Sequence, residues 1–145
     1  MKTKLIPVHM KTAYNYAQLS SARRLKVGAI VVKDNRIISI GYNGMPEGWD
    51  NNCEHTYDDG TLTTRSEVVH AEMNALGKLA RSSESGDDAS MFITHSPCTE
   101  CAKLIHVSGI RRVFYSEDYR SRDGTEFLKQ CGVDVVKVDL QDYET

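Results

Sequence analysis

A chain of 145 residues, 40% apolar and 26% charged, has the size and makeup of one globular domain built round a single core. Its formal charge of −2, from 18 basic and 20 acidic residues, supplies no polybasic face for a nucleic-acid polymer and favours a small ligand. No stretch approaches the roughly 20 apolar residues that span a bilayer, and residues 1–9 lack the apolar centre of a secretory signal, so a cytoplasmic location without membrane contact is expected.

Val8, Met10, Ala13, Tyr14, Ala17 and Leu19 recur at helical spacing and predict a helix over 8–20. Two β-branched runs, 27–32 and 36–42, are joined by Lys33-Asp34-Asn35 and read as a hairpin. Residues 43–66 are rich in Gly, Asn, Asp and Thr without steady periodicity and predict a long loop. An apolar face of Val69, Met73, Leu76, Leu79 and Ala80 predicts a helix over 68–81, ended by the polar run 82–90. A strand over 91–94, a helix over 99–107 closed by Gly109, a strand over 112–115, a helix over 124–130 and a strand over 133–138 follow. An opening hairpin followed by alternating helices and strands implies an α/β domain over 1–145, with a five-stranded mixed sheet covered on both faces.

The chemistry lies in His70-Ala71-Glu72 opening one helix and Pro97-Cys98-Thr99-Glu100-Cys101 opening another. One imidazole and two thiolates suit Zn²⁺, and three protein ligands leave a fourth tetrahedral position open to water, as in catalytic sites. Backbone N–H groups and positive dipole ends at the helix starts favour thiolate at Cys98 and Cys101. An ion with two thiolates and a neutral imidazole is formally uncharged, so it acidifies water less than an all-histidine site does and needs a base nearby. Glu72 supplies that base. It lies about 200° round the helix from His70, yet at a helix start it can turn toward the open position and move protons to a ring nitrogen and a leaving amine. This pairing matches the pattern of zinc-dependent nucleobase deaminases.

Four segments extend the match: Arg24-Leu25-Lys26-Val27-Gly28-Ala29, Gly41-Tyr42-Asn43-Gly44-Met45-Pro46-Glu47-Gly48, Val69-His70-Ala71-Glu72-Met73-Asn74-Ala75 and Ser96-Pro97-Cys98-Thr99-Glu100-Cys101-Ala102-Lys103. Together they resemble the deoxycytidylate deaminase family, of phage and bacterial type, over about residues 20–138. The resemblance implies a three-layer α/β/α cytidine deaminase-like fold and hydrolysis of dCMP to dUMP for thymidylate synthesis. It also implies one catalytic Zn²⁺ per subunit, a homohexamer, activation by dCTP and inhibition by dTTP, with Mg²⁺ accompanying the triphosphate. Carried over by residue, Asn43 helps hold the nucleotide, Arg24 and Lys26 take the 5′-phosphate, and Ala71 and Ser96 contact the base from two sides. Tyr115 and Tyr119 stack or touch the phosphate, and Gly44, Glu47, Trp49, Asp50 and Asn51 belong to the effector loop. Some relatives hold a second, structural zinc in the long loop and often carry cysteine in place of Ala22; here Cys53 and His55 are the ligand types in that loop.

Other readings stand beside these. Cys98-Thr99-Glu100-Cys101 has thioredoxin spacing, but that reading leaves His70 and Glu72 without work. Arg23, Arg24 and Lys26 also read as a solvated basic turn, Cys53 and Cys131 as small buried hydrophobes, and His9, His95 and His106 as surface or packed histidines. A deaminase of tRNA adenosine, guanine or cytidine, and a catalytically silent nucleotide sensor, are the rival functions; retention of Glu72 speaks against the sensor.

Overall fold

The computed structural model describes residues 1–144. Helix α1 spans Leu5–Ala17, three residues earlier than its apolar spacing predicts. Pro7 falls in the first turn, where its missing N–H would have found no intrahelical acceptor, so the helix starts ahead of it. The hairpin forms as expected from β1 (Gly28–Lys33) and β2 (Arg36–Tyr42), with Lys33 paired to Arg36. Its two turn residues, Asp34 and Asn35, both have positive φ, 52° and 60°, the left-handed pair of a tight turn that matches strand twist.

The long segment, predicted to be a loop, contains a second hairpin, β3 (Glu54–Thr56) against β4 (Leu62–Thr64). Helix α2 covers Ala71–Ala80 rather than starting at 68. Val69 is drawn out as an isolated bridge to Gly44, with N–H···O bonds of 2.8 and 3.1 Å, which leaves His70 extended as the N-cap. Strand β5 (Ser90–His95), helix α3 (Thr99–Val107), strand β6 (Arg112–Glu117), helix α4 (Asp123–Gln130) and strand β7 (Asp134–Lys137) complete the alternation, before a short 3₁₀ turn at Leu140–Tyr143.

The sheet order is β2-β1-β5-β6-β7; β1 is antiparallel to β2 and β5, while β5, β6 and β7 run parallel. Side chains alternate across this mixed sheet. Ala29, Val31, Met91, Ile93 and Val113 pack under α2, α3 and α4, whereas Ile30, Val32, Phe92 and Phe114 pack against Met10 and Ala13 of α1. Two buried faces demand near-continuous apolar strands, and β1 and β5 are buried along almost their whole length. Phe92 and Phe114, partners in register, stack with centroids 4.5 Å apart. Helix α2 lies so close to β2 that a Cβ on Gly41 would collide with the Ala71 carbonyl and the Ala75 amide. The result is the three-layer α/β/α cytidine deaminase-like fold. No helix among the described residues is long and apolar enough to cross a membrane.

Candidate active site

The parallel strands β5 and β6 end at His95 and Glu117, and α2 and α3 begin at the same level. A cleft of about 380 Å³ opens there, outside the carboxyl ends of the strands where α/β sheets bind ligands. Its floor is made by two helix N-caps, His70 and Cys98. Cys98 Sγ accepts the Cys101 backbone N–H at 3.5 Å, a cap that aims both sulfurs at the same point. Behind Cys98, α4 is set so tightly that a Cβ on Gly124 would collide with the Pro97 carbonyl.

His70 Nδ1 lies 3.3 Å from Cys101 Sγ and 3.6 Å from Cys98 Sγ. Among the described residues these three form the one group of metal-ligating side chains whose atoms all fall within 4.8 Å of one another. A tetrahedral zinc with bonds of about 2.0 Å to nitrogen and 2.3 Å to sulfur separates those atoms by about 3.6 Å. The residues therefore fit the ion.

Protonation supports the same fit. Hydrogen bonds from Cys101 and His70 hold the Cys98 thiol far down, at about 3, while the bond to Cys98 together with burial pushes the Cys101 thiol up. The expectation of two ready thiolates thus applies to Cys98. Cys101 sits inside the first turn against an existing negative charge and gives up its proton to a cation. The bond to Cys98 also raises His70, against the pull of its burial.

Glu72 is 4% exposed and lines the cleft beside these groups. Burial pushes its carboxyl up to about 7, against the opposing pull of its own backbone N–H and of His70. A carboxyl poised near neutrality both takes and gives a proton.

Of the other residues singled out in the sequence, Arg24, Asn43, Ala71, Ser96 and Tyr119 line the cleft, whereas Lys26 and Tyr115 do not. Lys26 is exposed, and Tyr115 faces a smaller hollow beside Asp118 and Lys137. Asn43 spends half its amide on the chain: Oδ1 accepts the Val27 N–H at 2.9 Å and Nδ2 donates to the Leu25 carbonyl at 2.8 Å, leaving one N–H and one lone pair. Ser96 Oγ accepts the Tyr119 N–H at 2.8 Å and so ties the segment after β6 to the cleft. Gly44, Glu47, Trp49, Asp50 and Asn51 all lie away from the cleft lining. Gly44 bridges to Val69, Asp50 pairs with Arg65 at 3.2 Å, and Trp49 is 51% exposed. Cys53 packs with Ala22, Val68 and Met45 in an apolar cluster.

Polar residues of the lining that the sequence did not single out for the site are Glu54, Thr64, His95, Glu117 and Asp118. His95 belongs to a continuous chain of bonds. Thr94 Oγ1 receives the Gly28 N–H at 3.2 Å and lies 2.7 Å from His95 Nδ1, while His95 Nε2 lies 3.4 Å from a Glu117 oxygen. Tyr14 donates to the same Glu117 oxygen at 2.5 Å. Burial lowers His95 and, with Glu117, lifts Tyr14 to about 12, so the imidazole is neutral and the phenol protonated. His95 and Glu117 close β5 and β6, one and two residues beyond the strand ends that the sequence predicts, so their place at the carboxyl ends of parallel strands becomes visible only in the folded sheet.

The family model for the cytidine and deoxycytidylate deaminase zinc-binding region matches residues 4–117. The dCMP deaminase of cyanophage S-TIM5, solved in complex with dCMP and dUMP, is 47% identical with a TM-score of 0.89, covering 95% of this chain and 99% of its own. ComE operon protein 2 of Bacillus subtilis is 36% identical over 92% of this chain and 70% of the relative. The deoxycytidylate deaminase of Enterobacteria phage T4 is 31% identical over 89% of this chain and 87% of the relative. With the His/Cys/Cys group and its buried glutamate standing inside the matched fold, this chain belongs to the cytidine and deoxycytidylate deaminase family.

Proposed function

We propose that this protein hydrolyses dCMP to dUMP and ammonia, using Glu72 to move protons and His70, Cys98 and Cys101 to hold one Zn²⁺. The observation that carries the reading is the buried Glu72 carboxyl beside three ligand atoms that lie within 4.8 Å of one another. The likeness to a cyanophage dCMP deaminase solved with dCMP and dUMP supports the substrate.

When bound, the zinc supplies a Lewis acid that makes water more acidic. The rest of the chemistry belongs to the chain. Glu72 accepts a proton from the attacking water and gives it to ring N3 as oxygen bonds to C4, then takes the remaining proton from the new C4 hydroxyl and delivers it to the amine, so that C4=O forms as the C4–N bond breaks and ammonia leaves. Asn43 keeps one donor and one acceptor for the nucleotide, the Ala71 backbone and Ser96 flank the base, and Arg24 takes the 5′-phosphate, with Tyr119 beside it at the cleft.

Resemblance to the family extends the proposal to a cytoplasmic homohexamer activated by dCTP and inhibited by dTTP, with Mg²⁺ on the triphosphate and the loop containing Gly44, Glu47, Trp49, Asp50 and Asn51 as the effector element. The half-exposed Trp49 supports that assignment by offering a face for a base outside the cleft. The test is loss of cytosine absorbance with dCMP, deoxycytidine and CMP as substrates, with and without dCTP and dTTP. Turnover of dCMP well above deoxycytidine is expected; equal rates on the two overturn the phosphate assignment, and no turnover of any of them overturns the function.

A further inference from the structure

We propose that Glu54, outside the reacting constellation, is the positioning residue for the nucleotide's 5′-phosphate: it holds in place the chain segment that presents Arg24 to the cleft. This rests on the assignment of Arg24 to the phosphate made above.

Residues 22–26 run toward β1 outside any helix or strand, and the first backbone bond of the ladder is the Asn43 N–H to the Val27 carbonyl at 3.2 Å. Two side chains hold this segment. At one end Glu54 Oε2 accepts the backbone N–H of Arg23 at 2.9 Å and of Arg24 at 3.1 Å, and Oε1 accepts Arg23 Nε at 3.4 Å. At the other end Asn43 clasps Leu25 and Val27. Two successive backbone N–H groups converging on one oxygen form a concavity suited to an anion, and here the protein's own carboxylate fills it.

Glu54 is 1% exposed, and an ionised carboxylate at that depth is tolerated only when fully paired. Its burial alone raises the carboxyl; the N–H groups of Arg24 and Arg23 and the Arg23 guanidinium outweigh that and keep it ionised. The same arrangement divides labour between neighbouring arginines. The Arg23 guanidinium is spent on Glu54, Asn52 and Thr56. Arg24 is exposed at the cleft, and among the described residues its side chain bonds Thr64, Nη1 to Oγ1 at 2.9 Å, on the strand paired with that of Glu54. The β3–β4 hairpin thus fixes Arg24 at its backbone through Glu54 and at its guanidinium through Thr64, while the charge of Glu54 is cancelled before it meets a phosphate.

The experiment compares kcat and KM for dCMP and for deoxycytidine in the zinc-containing enzyme and its Glu54→Ala, Glu54→Gln, Arg24→Ala and Glu54→Ala/Arg24→Ala variants. Losing a charge-assisted contact to phosphate corresponds to about 10- to 100-fold. Glu54→Ala is expected to raise KM for dCMP by about tenfold or more at similar kcat, leave kcat/KM for deoxycytidine within about twofold, and cost nothing further in selectivity once Arg24 is alanine. Glu54→Gln, which can keep an oxygen on the two backbone N–H groups, is expected to retain most of the selectivity. Equal losses on both substrates, additive losses in the double variant, or unchanged selectivity in Glu54→Ala overturn the proposal alone. Unchanged selectivity in Arg24→Ala overturns the phosphate assignment and this proposal with it. If Glu54→Ala does not fold, Thr64→Val makes the same comparison from an exposed position: a selective rise in KM for dCMP supports the proposal and unchanged selectivity overturns it.

Discussion

The proton-carrying role proposed for Glu72 rests on a place where burial disfavours the ionised carboxyl. With 4% exposure and its pKa pushed up to about 7 by burial, the carboxyl holds either protonation state at little energetic cost near neutrality. Replacement by Gln keeps the shape and removes the proton carrier. Glu72→Gln is expected to bind zinc at full stoichiometry and lose about 10²- to 10⁴-fold in kcat, the usual range for general acid–base work. His70→Ala, by contrast, is expected to lose the metal itself. Metal analysis beside steady-state rates separates the two, and a fast, zinc-containing Gln variant contradicts the role of Glu72. These residues were legible because each group is compact in sequence: 70 and 72 flank one helix start, 98 and 101 one helical turn. Glu54, His95 and Glu117 were not, because each is placed by partners far away in the chain: Arg23 and Arg24 for Glu54, Tyr14 for Glu117, and Glu117 for His95. A lone glutamate or histidine carries no such information.

At the scale of elements, helix α3 was read residue for residue. Its start is capped by Cys98 and its end is turned by Gly109 at φ 84°, both local signals. The start of α2 was misplaced because Val68 and Val69 continue the apolar pattern backward, while Val69 is in fact claimed by Gly44. The β3–β4 hairpin escaped notice because three-residue strands of largely polar residues show no period of two. What no periodicity reveals is how closely elements approach. A side chain at Gly124 must push Pro97 and hence Cys98 aside, so Gly124→Ala is expected to cost about 1–3 kcal/mol and to weaken zinc retention. Gly77, within α2 with open space round its Cα, is the control: Gly77→Ala is expected to gain about 0.5–1 kcal/mol. Denaturant unfolding of both variants, with zinc content, tests the contrast; equal effects would show that the packing of α4 on Pro97 is loose.

Over the whole molecule, stability is linked to protons and to metal through groups that never leave the cleft walls. Glu54 has a folded pKa below its ordinary value of 4.5, so its contribution is fully present above that pH and is lost as pH falls through the folded value. Acid unfolding of the wild type is therefore expected to steepen below about pH 4.5, and Glu54→Gln to flatten that limb while changing little at pH 7 relative to pH 6. The metal acts in the opposite corner. His70 precedes α2 and Cys98 and Cys101 open α3, so an ion held by these three side chains would tie the two helices together and would have to displace the proton that the Cys98–Cys101 pair retains. Binding to the folded state alone adds about 2.7 kcal/mol when free zinc is 100 times its Kd. Removing zinc with a chelator is thus expected to lower Tm, and restoring it to raise Tm in proportion to the logarithm of free zinc and to release protons into a weakly buffered solution. Thermal melts and pH-stat titration read the two effects. A Tm indifferent to chelation, or uptake of zinc without proton release, would mean that the sulfurs of Cys98 and Cys101 do not both serve as ligands.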